Sequence, residues 1–204
     1  MAKRGRKRTP FDVSAALGKA TRLFRIHGYR GTSIQDIVDG TGISRARLYE
    51  TFGDKQGLFL TVLERYEQEY ELGRLAATAR RGSARKAILN AFESIVSNAP
   101  GQGVGCLMIT TALEVSPRDG AVAEVAQRAL SDIERNFRAS VETGKTSGEF
   151  AATVDARLTA SALLSLLLGL HVLARSRPDP DLLRAVAAQA AVLLTSAAQG
   201  NVGA

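Results

Sequence analysis

The chain has 204 residues, a net charge of +7, one cysteine and no tryptophan. Its length is enough to bury a substantial core, and a lone Cys106 excludes an intrachain disulfide and points to a reducing compartment, the cytoplasm. The basic start of the chain lacks the apolar stretch of a secretory signal. The longest apolar run, Ala162 to Ala174, falls short of the roughly 20 residues a membrane span needs, so it is expected to be a buried helix.

Charge is spread unevenly. Residues 1–60 carry 12 Lys+Arg against 5 Asp+Glu, whereas residues 61–204 are balanced at 15 against 15. The whole excess lies in the first 60 residues, with Lys3, Arg4, Arg6, Lys7 and Arg8 at the very start. This asymmetry points to a polyanionic partner for the N-terminal part. For the tail alone, a merely solvated basic segment remains the alternative.

In chain order, Val13, Ala16, Leu17, Ala20, Leu23 and Phe24 recur at helical spacing up to Gly28. Thr32 or Ser33 then caps a short helix with Ile34, Ile37 and Val38 inward, and Asp36 completes a capping box with Ser33. Gly40-Thr41-Gly42 breaks it. Ser44 caps a second short helix, Arg45 to Thr51, and after Phe52-Gly53 the Asp54 side chain caps a longer one through Leu58, Phe59, Val62, Leu63, Tyr66 and Tyr70. Two short helices around a glycine-containing turn are the helix-turn-helix signature. On the second of them Leu48 and Phe52 mark the buried stripe, which puts Ala46 and Glu50 opposite it, Arg47 and Tyr49 on the flanks and Arg45 in the first turn. A recognition helix presents its N-terminal residues to base edges, and arginine's planar fork can bond guanine O6 and N7 together.

Beyond Gly73, Ser83 caps a helix with Ile88, Leu89, Phe92, Ile95 and Val96 that stops at Asn98-Ala99-Pro100-Gly101. A shorter helix runs from Cys106 to Leu113 and ends at Ser116-Pro117, and a long stripe follows from Val122 to Val141. The next helix, about Asp155 to Ser176, carries leucines on more than one face, with Ser165 and Gly169 allowing another helix close approach. Asp179-Pro180 opens the last helix, rich in Ala187, Ala188, Ala190 and Ala191. The expected fold is all-α, with about nine helices and no strand.

Residues 11–66 resemble the DNA-binding domain of the tetracycline-repressor family. Gly-Tyr-x-Gly-Thr-Ser-Ile-x-Asp-Ile, Gly-Ile-Ser, Leu-Tyr-x-x-Phe and Gly-Asp-Lys fall in that family's order. The opening Arg-Gly-Arg-Lys-Arg-x-Pro-Phe-Asp resembles the basic arm of a common subgroup. The resemblance implies a basic arm over 1–10, a helix-turn-helix domain over 11–57 and a ligand-binding and dimerisation domain over 58–204. By position it implies that Thr32, Ser33, Tyr49 and Lys55 hold phosphates, that Arg45, Ala46 and Arg47 face bases after the Ser44 cap, and that Arg4, Arg6, Lys7 and Arg8 follow the backbone or minor groove. Glu50 departs from the family's frequent neutral or basic choices and should repel phosphates unless it accepts from a cytosine amino group.

The same resemblance implies a homodimer joined by the last two helices, with Leu166, Gly169, Leu170, Leu173, Ala187 and Ala191 as interface candidates. A hairpin buried inside a monomer is the alternative. For an effector pocket the candidates are Phe92, Ile95, Cys106, Met108, Ile109, Ile133 and Phe137, each of which could equally be ordinary core. Cys106 at a helix start could be a reactive thiol, or a small apolar residue filling the core beside Leu89 or Phe92. His171, alone on an apolar helix, reads as a core or interface histidine. His27, His171, Cys106 and scattered carboxylates form neither a metal-ligand cluster nor a nucleophile with its base, so no metal, cofactor or catalysis is expected. The expected function is a ligand-responsive regulator, most simply a repressor, whose partners are an operator in double-stranded DNA and an unidentified small-molecule effector, with no membrane involved. A sequence-tolerant DNA-compacting protein driven by the arm is the alternative.

Overall fold

The computed structural model describes residues 12–69, 75–99, 106–115 and 119–195. Every regular element among them is a helix: α1 Val13–His27, α2 Ile34–Thr41, α3 Arg45–Phe52, α4 Lys55–Glu69, α5 Leu75–Arg81, α6 Ala84–Asn98, α7 Leu107–Glu114, α8 Gly120–Thr146, α9 Ala156–Ser176 and α10 Pro180–Leu193. The basic arm, the Pro100-Gly101 stop, the glycines before Cys106 and Ser116-Pro117 lie outside the described residues. The helix beyond the expected nine is α5. It is seven residues long and is held by Leu75 and Ala79, one turn apart and both buried.

Local chemistry sets most boundaries. Ser33, Ser44, Ser83, Asp119, Asp155 and Asp179 each accept a backbone N–H of the helix they open, and Pro180 takes the first position of α10. Of the two candidate caps for α2 the structure selects Ser33, with the Asp36 side chain closing the box. That helix passes through Gly40 and Thr41 and stops at Gly42, whose φ of 78° admits the left-handed turn.

Two cores organise the chain. One joins α1 to α4 with Leu107 and Met108 of α7 and Val122, Val125 and Ala129 at the start of α8. At its centre Phe24 and Phe59 meet edge to face at 4.8 Å, and Tyr29 lies 4.6 Å from Phe59. Such aromatic pairs add about 0.5–1.5 kcal/mol to the area they bury. Leu58, Phe59, Val62 and Leu63 of α4 pack in this core with residues of α1 as well as of α7 and α8. The second core joins α5, α6, the rest of α8, α9 and α10.

Among the described residues α9 alone is long and apolar enough to cross a membrane by length and composition. Its inner face, Leu163, Leu167 and Leu170, is buried against the second core. The opposite face, with Leu158, Ser165, Gly169 and Val172, is exposed.

Far from the first core, Glu149 closes the N-terminus of α6. Its carboxylate accepts from the Ser83 hydroxyl and from the backbone N–H groups of Ala84 and Arg85 at 2.8 and 3.2 Å. The bond from Ser83, followed by those backbone bonds, lowers its pKa below the ordinary glutamate value. Glu149→Ala should cost about 1 kcal/mol, the size of a lost helix cap, since solvent screens the site. A carboxyl with a depressed folded pKa stabilises above its unfolded value, about 4.3, and that contribution is lost as pH falls through the folded value. Thermal melts of the two proteins should therefore differ at neutral pH and converge on acidification. A gap that widens in acid would contradict this assignment.

Candidate nucleic-acid interface and effector cavity

The candidate reading head is built by α2, α3 and the start of α4. Leu48 is buried beneath α3, while Ser44, Arg45, Ala46, Tyr49 and Glu50 are exposed and Arg47 is half-buried. Ser44 accepts the Arg47 N–H at 3.3 Å, so the first turn of the helix, with both arginines, is held at a fixed orientation. An Arg45 guanidinium nitrogen lies 3.4 Å from Gln35 Oε1, and Gln35 is itself braced by Asp39 at 2.9 Å. Gln35 was not anticipated from sequence; the available signal is a polar residue near the start of α2, next to the turn that aims α3. Glu50 pairs with Arg47 at 3.6 Å, the two side chains being 71% and 39% exposed. The acidic departure on this face thus has a partner within its own helix.

Three positions expected at phosphates differ in how they are placed. Thr32 is fully buried, and its hydroxyl donates to the Gly28 carbonyl at 2.7 Å. This corrects the expectation for its side chain: the hydroxyl ties down the turn after α1 instead of facing outward. Ser33 is exposed, with its hydroxyl and N–H engaged in the capping box. Lys55, the first residue of α4, lays its ammonium 4.2 Å above the Tyr29 ring. Burial there lowers its pKa, while the carboxylates of Glu114 and Asp36 act in the opposite direction.

The seven expected pocket residues separate into core and cavity. Phe92 and Phe137 stack at 6.1 Å inside the second core, together with Ile95 and Ile133, and Met108 is buried in the first. Cys106 and Ile109 line a cavity of about 460 Å³ between α7 and the C-terminal half of α9. Leu113, His171 and Val172 complete much of its wall, and Glu114 and Arg175 stand at its edge. Cys106 is buried against α4, with the Tyr66 hydroxyl 4.0 Å from Sγ, so the alternative that placed it as a core residue beside Leu89 or Phe92 is corrected to the other core. Burial, and then the Cys106 thiol, raises the Tyr66 pKa. Burial also lowers the His171 pKa to about 4, assisted by Arg25, so this imidazole is neutral at pH 7. No group of His, Cys, Asp and Glu among the described residues could hold a metal ion.

The dimer candidates also divide. Leu170 and Ala187 are buried within the protomer, which corrects the expectation that they face a partner, whereas Leu166 and Leu173 are half-buried at the margin of the same core. Gly169 is exposed and Ala191 is half-buried.

Comparison with known proteins agrees with this architecture. Residues 16–62 match the family of bacterial regulatory proteins of the tetR type, and residues 82–190 match the tetracyclin repressor-like C-terminal domain. The chain is 32% identical over 181 residues to the HTH-type transcriptional regulator YezE of Bacillus subtilis, covering 85% of this chain and 91% of that protein. It is 30% identical over 187 residues to the HTH-type transcriptional repressor ComR of Escherichia coli, covering 90% and 89%. A solved cysteine mutant of the TetR family transcriptional regulator CifR, complexed with 26bp double-strand operator DNA, superposes with a TM-score of 0.78 at 29% identity, covering 90% of this chain and 97% of that one. From its first helix to its last, the chain belongs to the tetracycline-repressor family of helix-turn-helix transcriptional regulators.

Proposed function

We propose that the protein is a homodimeric repressor acting in the cytoplasm, which grips a near-palindromic operator and releases it when a small molecule occupies the cavity between α7 and α9. The observation that carries this reading is the face of α3. Its two arginines are oriented by Ser44 and Gln35 on an exposed helix whose opposite side is anchored by the buried Leu48. The similarity to a repressor and to a regulator solved on operator DNA supports the same reading. The exposed stripe of Leu158, Ser165, Gly169 and Val172 on α9 supports the two-fold partner, which would set two reading heads on half-sites about one helical turn apart.

The effector cavity favours a small, mostly apolar molecule. Its volume lies in the range of ligand pockets. Ile109, Leu113 and Val172 supply apolar wall, and His171 is neutral at pH 7, so the wall presents no imidazolium charge. Release requires that the occupant bind one spacing of the reading heads better than the other.

Selection of binding sites from a random DNA pool tests the proposal. Two inverted half-sites at fixed spacing are expected. A pool that never converges would instead support sequence-tolerant compaction by the basic arm. The arm has its own expected result. Deleting residues 2–8 should weaken operator binding and reduce the slope of log affinity against log salt by about 0.9 for each phosphate the arm no longer neutralises. An unchanged slope would show that Lys3, Arg4, Arg6, Lys7 and Arg8 are only solvated charge.

A further inference from the structure

Two residues at the edge of the cavity also hold the end of α1. Glu114, the last residue of α7, accepts the backbone N–H of Tyr29 at 3.2 Å and of Arg30 at 2.7 Å. Two successive N–H groups aimed at one carboxylate form an anion-binding nest. Gly28 makes room for it: its φ is +75°, and a Cβ there would stand 2.5 Å from Glu114 Oε2. Arg175, near the end of α9, donates to the carbonyls of Arg25 at 3.1 Å and Ile26 at 3.3 Å. Those carbonyls belong to the last turn of α1, the negative end of its dipole, where a guanidinium is well placed. The carboxylate and the guanidinium therefore grip the same short segment from two different helices. That segment leads directly into α2, and the cavity lies between the two gripping helices.

We infer that Glu114 and Arg175 are positioning residues which set the angle of the reading head against the C-terminal core, and hence the half-site spacing the dimer accepts. They touch no DNA in this scheme and act through α1 and the turn into α2. Anything that changes the separation of α7 and α9, an occupant of the cavity above all, moves the two anchor points relative to each other and re-aims α2 and α3. The inference rests on the two-headed operator reading proposed above, and its test separates the two.

The operator selected by the wild-type protein is compared with a copy carrying one extra base pair between the half-sites, which displaces them by about 3.4 Å and also rotates one about the helix axis. Wild-type protein should bind the lengthened site about tenfold or more worse, on the scale of the cost of one mismatched base pair. In Glu114→Ala and in Arg175→Met, affinity for the original operator should fall only a few-fold, while the penalty for the extra base pair shrinks below about threefold. Glu149→Ala is the control, because it removes an equally exposed carboxylate cap far from α1 and should keep the wild-type penalty. Should Glu114→Ala not fold, Glu114→Gln keeps the shape and one acceptor while removing the charge, and a reduced penalty is again expected. Variants that fold and retain the full wild-type penalty overturn the clamp and leave the operator reading intact. If the wild-type protein selects no paired half-sites, both fall together.

Discussion

Arg47→Ala is expected to weaken binding to the selected operator by about 1–3 kcal/mol, the discrimination carried by one bidentate contact to a guanine, and to affect random DNA far less. The pairing of Arg47 with Glu50 does not prevent such a contact. Both side chains are partly exposed at a separation of 3.6 Å, and exposed pairs of this kind contribute about 0–1 kcal/mol. The base contact is the stronger of the two, so Arg47 can exchange Glu50 for guanine when DNA arrives. Glu50→Gln should then raise affinity for operator and random DNA alike, because it removes a negative charge near the phosphates without supplying a base contact. Fluorescence titrations of both variants on both DNAs decide the matter. Equal losses on the two DNAs for Arg47→Ala would make Arg47 a phosphate contact.

Gly169→Arg should convert the proposed dimer to monomer and lower operator affinity by on the order of 100-fold, the scale of the avidity that disappears when two linked binding events become independent. The substitution discriminates well because of where Gly169 sits. A Cβ built there meets nothing within 4 Å inside the protomer, and Arg is a better helix former than Gly by roughly 0.5–1 kcal/mol. The folded monomer should therefore keep its helicity, and any loss of association reports on the outer face of α9. Light scattering gives the oligomeric state and circular dichroism the fold. A Gly169→Arg protein that remains a tight dimer would place the interface elsewhere.

Local rules made much of the chain readable before any packing was known. Ser33, Ser44, Ser83, Asp155 and Asp179 open helices because their side chains satisfy N–H groups a few residues away, an interaction that needs no tertiary partner. Gly28 and Gly42 end helices for an equally local reason, a positive φ that other residues resist. The outward face of α3 follows from Leu48 alone, since one buried position on a helix fixes the direction of its neighbours. The helix α5 escaped this reading because seven residues carry little periodic signal, and a helix that short depends on its surroundings.

The remaining questions concern which surface an apolar or polar side chain meets, and periodicity is silent on that. Phe92 and Phe137 on one side and Cys106 and Ile109 on the other present similar apolar stripes, yet the first pair fills a core and the second lines a cavity. In α9 leucine-rich spacing is compatible with burial on several faces, and packing against α8 and α10 turned Leu170 inward and left Gly169 outside. Thr32 next to a cap could face solvent or the chain, and the carbonyl left by the turn at Gly28 drew its hydroxyl inward. Glu114 and Arg175 reach their partners across about 85 and 150 residues of sequence. A backbone N–H or carbonyl is the same group at every position, so no residue pattern could announce those bonds before the fold brought the ends together.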